Sequence, residues 1–159
     1  MNPNHPMPMS PHPYRGFTLM LLISFFVMYA VMFLNVDQFD HIYLSLTRTY
    51  MSLLMVSAMA LVMLGLMRHM YPDKRTNVLI VGGSLFVFAL TLTLLRTQTP
   101  VGDVQYMKAM IPHHSSAIMV SRAANLQDPE VKKLSEGIIQ SQEREIAEMK
   151  AAIARLEAQ

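Results

Sequence analysis

The 159-residue chain contains no cysteine, which excludes disulfides, thiolate metal sites and thiol catalysis. Charge is scarce as well: Asp, Glu, Lys and Arg make up 15% of the residues against 52% hydrophobic ones, leaner than the ~25% charged of an average soluble domain. A net charge of +2 without a basic stripe gives no basis for a nucleic-acid partner. No Ser-His-Asp order, nucleophile elbow or phosphate-cradling glycine loop is present, which argues against hydrolytic or nucleophilic catalysis. What remains for chemistry is methionine, with 16 residues, and histidine, with 6. Thioether and imidazole stay usable as ligands in an oxidising compartment, where thiols are lost to disulfides.

The few charges are also unevenly placed, most of them after residue 96. Three runs before that point, Phe17–Leu34, Met51–Met67 and Val78–Leu95, carry no charge and are 17 or 18 residues long. That is close to the ~20 residues a helix needs to cross a bilayer. The second run extends back toward Ile42 through an interfacial stretch. No small-residue cleavage site follows the first run, and two more runs come after it, so it reads as an uncleaved anchor. The absence of charge inside the spans argues against proton-coupled transport. Methionines recur every four residues at 51, 55, 59, 63 and 67, and again at 28 and 32. Such a row drifts ~40° per step around a helix, which suits interhelical packing better than one straight wall of thioethers.

Ahead of the spans, residues 1–16 alternate proline with His5, Met7, Met9 and His12. Proline at that density reads as an extended or disordered tail, although the His/Met spacing suits soft-metal capture. Arg15 on the tail and Arg68, Lys74 and Arg75 in the second loop outnumber Arg48 in the first loop and Arg96 after the third span. The positive-inside rule then favours the tail and second loop on the inside, with the first loop and the whole C-terminal segment outside.

After a linker at 97–102, residues 103–159 read as a helical hairpin. Asp103 is the expected N-cap of a first helix running to about Asn125. Asp128 and Pro129 supply the cap and first position of a second helix reaching nearly to Gln159. Its apolar stripe is Val131, Leu134, Ile138, Gln142, Glu145, Met149, Ile153 and Leu156, with two polar residues in the seam. A hairpin this short is marginal alone, because domains of some 40–60 residues bury little surface. A four-helix bundle built from two hairpins is the economical solution, so a homodimer or larger homo-oligomer is expected.

On the first helix Met107, Met110 and His114 share a face, and His113 lies one position round, within reach of Met110. Met119 points elsewhere. Pro112 removes one amide donor and crowds the carbonyl of Lys108, so a kink or loosened turn is expected beside the histidines. Gln142, Glu145 and Met149 meet this region from the second helix. Thioethers with imidazole and no thiolate suit copper, with Cu(I) favoured; zinc is the alternative if Glu145 joins the ligands. Spacing alone leaves open the bland reading of interfacial histidines and core methionines.

Residues 103–149, "DVQYMKAMIPHHSSAIMVSRAANLQDPEVKKLSEGIIQSQEREIAEM", resemble the bacterial domain-of-unknown-function family 305. The shared pattern is Met110, Ile111, His113, His114 and Ala117 on one helix, and Gln142, Glu145, Ile146 and Met149 on the other. The resemblance covers about a third of the chain. It implies a ferritin-like helical hairpin or bundle, usually exported and associated with copper handling through Met and His. This copy holds one hairpin where larger relatives repeat the unit, and "KAAI" follows Met149 where the family often places an aromatic.

The expected protein is therefore all-α, with tail 1–16, three transmembrane helices within 17–96, linker 97–102 and a ferritin-like hairpin at 103–159 that completes a bundle by oligomerisation. Its expected role is binding copper or a similar soft metal through Met107, Met110, His113, His114 and Met149, with Gln142 and Glu145 orienting or completing the shell. Handling or resistance is expected, not catalysis, with the lipid bilayer, other copies and other metal-handling proteins as partners. A di-iron enzyme would want several carboxylates and Glu-x-x-His pairs, which are missing. A membrane-anchored oligomerisation module with no metal is the competing expectation.

Overall fold

The computed structural model describes residues 13–158, and all its regular structure among these residues is helical. The His/Met pattern at 5–12 lies outside the described residues. Helix α1 spans Pro13–Val31, α2 Leu46–Leu66, α3 Lys74–Thr97, α4 Asp103–Ala123 and α5 Pro129–Glu157. Short 3-10 turns at Phe39–His41 and Arg68–Met70 sit in the two loops joining the first three helices.

The first three helices are each long and apolar enough to cross a membrane. α2 is the central one, packed against both α1 and α3. Most large side chains of α1 and α3 point outward, including Leu22, Phe26, Leu79 and Phe86, as a lipid-facing surface requires. Small residues let α2 be approached closely: Ser52, Ser57 and Ala60 are buried, consistent with the way small side chains line membrane helix contacts. The methionine row of α2 winds as its spacing requires. Met51 and Met55 are exposed, whereas Met63 and Met67 pack on a cluster of Phe17, Ala60, Leu64 and Tyr71.

Several expected boundaries shift. α1 starts at Pro13, so residues 13–16 are helix and not tail; proline is well suited to a first turn, where its missing N–H is not needed. Tyr14 anchors that turn, its hydroxyl 3.0 Å from the Asp73 amide and 3.1 Å from Asn77 Oδ1. α3 ends one residue into the expected linker, at Thr97, where Gln98 takes a left-handed conformation (φ 51°) and its amide bonds the Leu94 carbonyl. Asp103 is the first residue of α4, not its cap. Gly102 holds the cap position without a side-chain bond, and Asp103 instead places its charge in the first turn, where the helix dipole favours it. The second cap is as expected: the Asp128 carboxylate accepts from the amides of Glu130 and Val131, with Pro129 opening α5. α4 stops at Ala123, two residues short of Asn125, and runs continuously through Pro112, whose ring is wholly buried.

The hairpin of α4 and α5 has its own core of Met107, Ile111, Ile118, Ile146 and Ile153. Only the C-terminal part of the expected α5 stripe joins it. Val131, Leu134 and Ile138 are exposed, and Ser135 and Ile139 turn inward instead. The reason is rotational: Ser135, Ile139 and Ile146 lie one residue round from Leu134, Ile138 and Glu145, and the isoleucines join Ile153 in a seam repeating at seven.

The loop between α1 and α2 lies along α4 and ties the hairpin to the spans. Ser115, fully buried on α4, accepts the Asp37 amide at 2.7 Å and pairs with His41 Nδ1 at 2.8 Å. Arg122 forks onto both Asp37 carboxylate oxygens at 2.9 and 2.7 Å and also reaches Glu143 of α5. Lys150 pairs with Asp40 at 2.5 Å, and Tyr43 packs on the hairpin core. Asn35 donates to Ser116, and Gln105 accepts the Leu46 amide. This strap puts the first loop and the hairpin on one side of the spans, as three crossings require.

Candidate metal-binding hollow

On the side of the hairpin away from the strap, α4 and α5 leave a hollow of about 510 Å³. Met107, Met110 and His114 line it from α4, and Glu145 and Met149 from α5, with Leu156 and Tyr106 toward one end. Their convergence follows from helical spacing. Positions 107, 110 and 114 recur at three and four on α4, as do 145, 149, 152 and 156 on α5. Met107 is buried, Met110, His114 and Met149 are half-buried, and Glu145 stands at the mouth.

His114 is the polar centre of this wall. Its Nδ1 lies 3.2 Å from Glu145 Oε2, yet the same buried nitrogen makes no hydrogen bond of acceptable direction. The two statements agree once direction is separated from distance. The carboxylate is close enough to attract but not aligned to accept, and a small turn of either side chain would complete the bond. Glu145 is itself held from below, where the Ser141 hydroxyl donates to Oε1 at 2.7 Å. Burial holds the His114 imidazole below its ordinary pKa of 6.5, opposed by the Glu145 charge and assisted by neighbouring His113. His114 is therefore neutral near pH 7 and keeps a lone pair for a metal.

Two expected site residues are not brought together with the rest. His113 is exposed and absent from the wall, because consecutive residues on an uninterrupted helix point ~100° apart and Pro112 does not splay them. Gln142 lies one turn beyond Glu145, in a separate groove with Leu134 and Ile138. Among the described residues no group of three or more His, Cys, Asp and Glu side chains is placed to hold a metal ion. The hollow's lining thus offers one imidazole and three thioethers, with the carboxylates of Asp103, Glu145 and Glu148 also on it. Thioethers with imidazole are the donor types soft monovalent ions take, whereas zinc takes three or more grouped nitrogen, oxygen or thiolate ligands, which are not found among the described residues.

Sequence reasoning missed His41 altogether. It is 5% exposed, and burial is the main cause of a pKa held below 6.5, with the Lys150 charge adding to it and Asp40 and Asp37 opposing. The available signal was weak: one histidine following two aspartates in a short loop.

Three helices apolar enough to span a membrane, followed by a strapped helical hairpin, make an all-α chain of the membrane-associated kind. The family model described as "Domain of unknown function (DUF305)" matches residues 89–153, from late α3 almost to the end of α5. The chain is 35% identical over 138 residues to "Uncharacterized protein L153" of Acanthamoeba polyphaga mimivirus, an alignment covering 85% of this chain and 89% of that protein. The chain belongs to the DUF305 family. No solved structure matches it.

Proposed function

We propose that this protein is a membrane-anchored binder of copper or a similar soft metal ion, acting in metal handling or resistance and not in catalysis. The observation carrying the reading is the meeting of Met107, Met110, His114 and Met149 around one hollow. Residues far apart in sequence supply three thioethers and a neutral imidazole, and the carboxylates of Asp103, Glu145 and Glu148 on the same lining are not grouped into a hard-ion site. Glu145 acts on His114: once turned to accept the Nδ1–H hydrogen bond, it leaves Nε2 as the donor atom, the usual carboxylate–histidine–metal relay. Cu(I) is the favoured ion, since thioethers select it over divalent metals. His113 is left outside this ligand set. The excess of basic residues near the second loop supports a hairpin on the periplasmic side of a bacterial inner membrane, where other metal-handling proteins would exchange the ion with it.

The test is titration of the full-length protein in detergent with Cu(I) or Ag(I) against a competing chelator, beside His114→Ala and Met110→Leu. We expect one ion per chain and a loss of affinity of at least ~10-fold in each variant, the scale set by removing a ligand or its support. Equal affinity in all three proteins would overturn the reading and leave the hairpin as a structural module.

A further inference from the structure

The strap covers one face of the hairpin, and the opposite face carries an uncovered apolar ridge. Val131, Leu134 and Ile138 are 44%, 64% and 36% exposed. Their spacing of three and four puts them on the same side of α5 as Glu145 and Met149. Ridge and hollow are therefore successive stretches of one open face. A ridge of this kind on an extramembrane helix marks a contact surface.

We infer that this face docks a second copy of the chain, antiparallel, about a two-fold axis near Gln142, so that each copy's ridge seats in the other's hollow. Shape selects this occupant. Along α5 the ridge centres on Leu134 and the hollow near Met149, roughly 12 Å to either side of Gln142 at 1.5 Å per residue. A half-turn about that point exchanges them, as an isologous contact demands. Charge agrees: the same operation brings Glu130 of one copy toward Arg155 of the other, and Lys133 toward Glu148. None of these four side chains forms an ion pair within its own chain among the described residues. Glu130 lies five residues further from Glu148 of the other copy than from Arg155, and Lys133 one residue further from Arg155 than from Glu148, so the Glu130–Arg155 pair carries most of the charge preference. The ridge then roofs the hollow and excludes water and competing ligands from the thioethers. That consequence rests on the metal reading; the pairing itself does not.

The absence of native cysteine makes the test direct. Gln142→Cys and Ala158→Cys are introduced singly into the full-length, metal-free protein in lipid nanodiscs or mild detergent. Each is treated with a bismaleimide reaching about 10 Å, the spacing of packed helices. We expect a covalent dimer for Gln142→Cys and none for Ala158→Cys, whose copies lie roughly 45 Å apart in an antiparallel pair. Adding Leu134→Lys should cut the Gln142→Cys dimer at least ten-fold while helical circular dichroism stays unchanged, because Leu134 is mostly exposed in the single chain. No dimer at Gln142→Cys, a dimer at Ala158→Cys, or a dimer that survives Leu134→Lys would each overturn the inference. A failure of metal binding would leave the cross-link untouched, so the two readings fall separately.

Discussion

The two faces of the α4–α5 hairpin use the same residue types to opposite ends. On the strapped face every polar group has an answer: Ser115 serves Asp37 and His41, Arg122 serves Asp37 and Glu143, and Lys150 serves Asp40. On the open face an imidazole nitrogen is buried without a hydrogen bond, and a leucine stands exposed. Buried polar groups normally find partners and large apolar groups normally find cover. A face on which both rules lapse, beside one on which both hold, is where the proposed binding would act. His41 and His114 make the contrast within one residue type. Both are withheld from protonation by burial, but His41 Nδ1 is bonded into the fold, whereas His114 Nδ1 faces Glu145 at 3.2 Å without an aligned bond.

The comparison can be broken first at its firmest point. Ser115→Val should strand the Asp37 amide and His41 Nδ1 together, and buried groups left unpaired cost about 1–3 kcal/mol each. The expected result is a clear fall in thermal stability and faster amide exchange along the first loop, read by hydrogen–deuterium exchange. A variant as stable as the parent would mean that the strap does not hold the hairpin.

Acid should act on both faces with one sign. The folded-state pKa of His41 and of His114 lies below 6.5, so the unfolded chain takes up protons first as pH falls. The stability they contribute is full above about pH 6.5 and is lost as pH falls through the folded values. Chemical denaturation from pH 7.5 to 5 should show this slope. His41→Asn should remove part of it, and a slope of the opposite sign would contradict the burial of both rings. Metal affinity should fall over the same acidic range through His114.

Smaller effects sharpen the contrast. Glu145→Gln keeps the shape of the hollow but weakens the acceptor facing Nδ1, and should lower Ag(I) affinity about 10-fold, the lower end for groups that orient a ligand. A comparable loss in His113→Ala would instead restore His113 to the site. Lys108→Met removes a surface pair with Glu157 at 2.6 Å and should change stability by no more than ~0.5 kcal/mol. A larger cost would show that the end of α5 is pinned more firmly than an exposed ion pair allows.

Much of this architecture was legible because the physics behind it is local. Uncharged runs of bilayer length mark the spans, and Asp128-Pro129 opens α5 through a cap and a preset φ. Spacing by three and four put Met107, Met110 and His114 on one wall. The strap was not legible, since Ser115 and His41 are 74 positions apart and neither belongs to a pattern. The rotation of α5 was missed for a related reason. Val131, Leu134 and Ile138 form as good a stripe as Ile139, Ile146 and Ile153, and only tertiary packing decides which of two apolar rows α4 covers. The paired histidines misled in a simpler way, because adjacency in sequence separates side chains on an unbroken helix.

The central claim is that thioethers and one imidazole around the hollow hold a soft ion. X-ray absorption at the copper edge of the Cu(I)-loaded full-length protein tests it most directly. The account predicts a shell dominated by sulfur with a single imidazole nitrogen, and loss of that nitrogen in His114→Ala. A shell made only of nitrogen and oxygen, or one unchanged in His114→Ala, would contradict it.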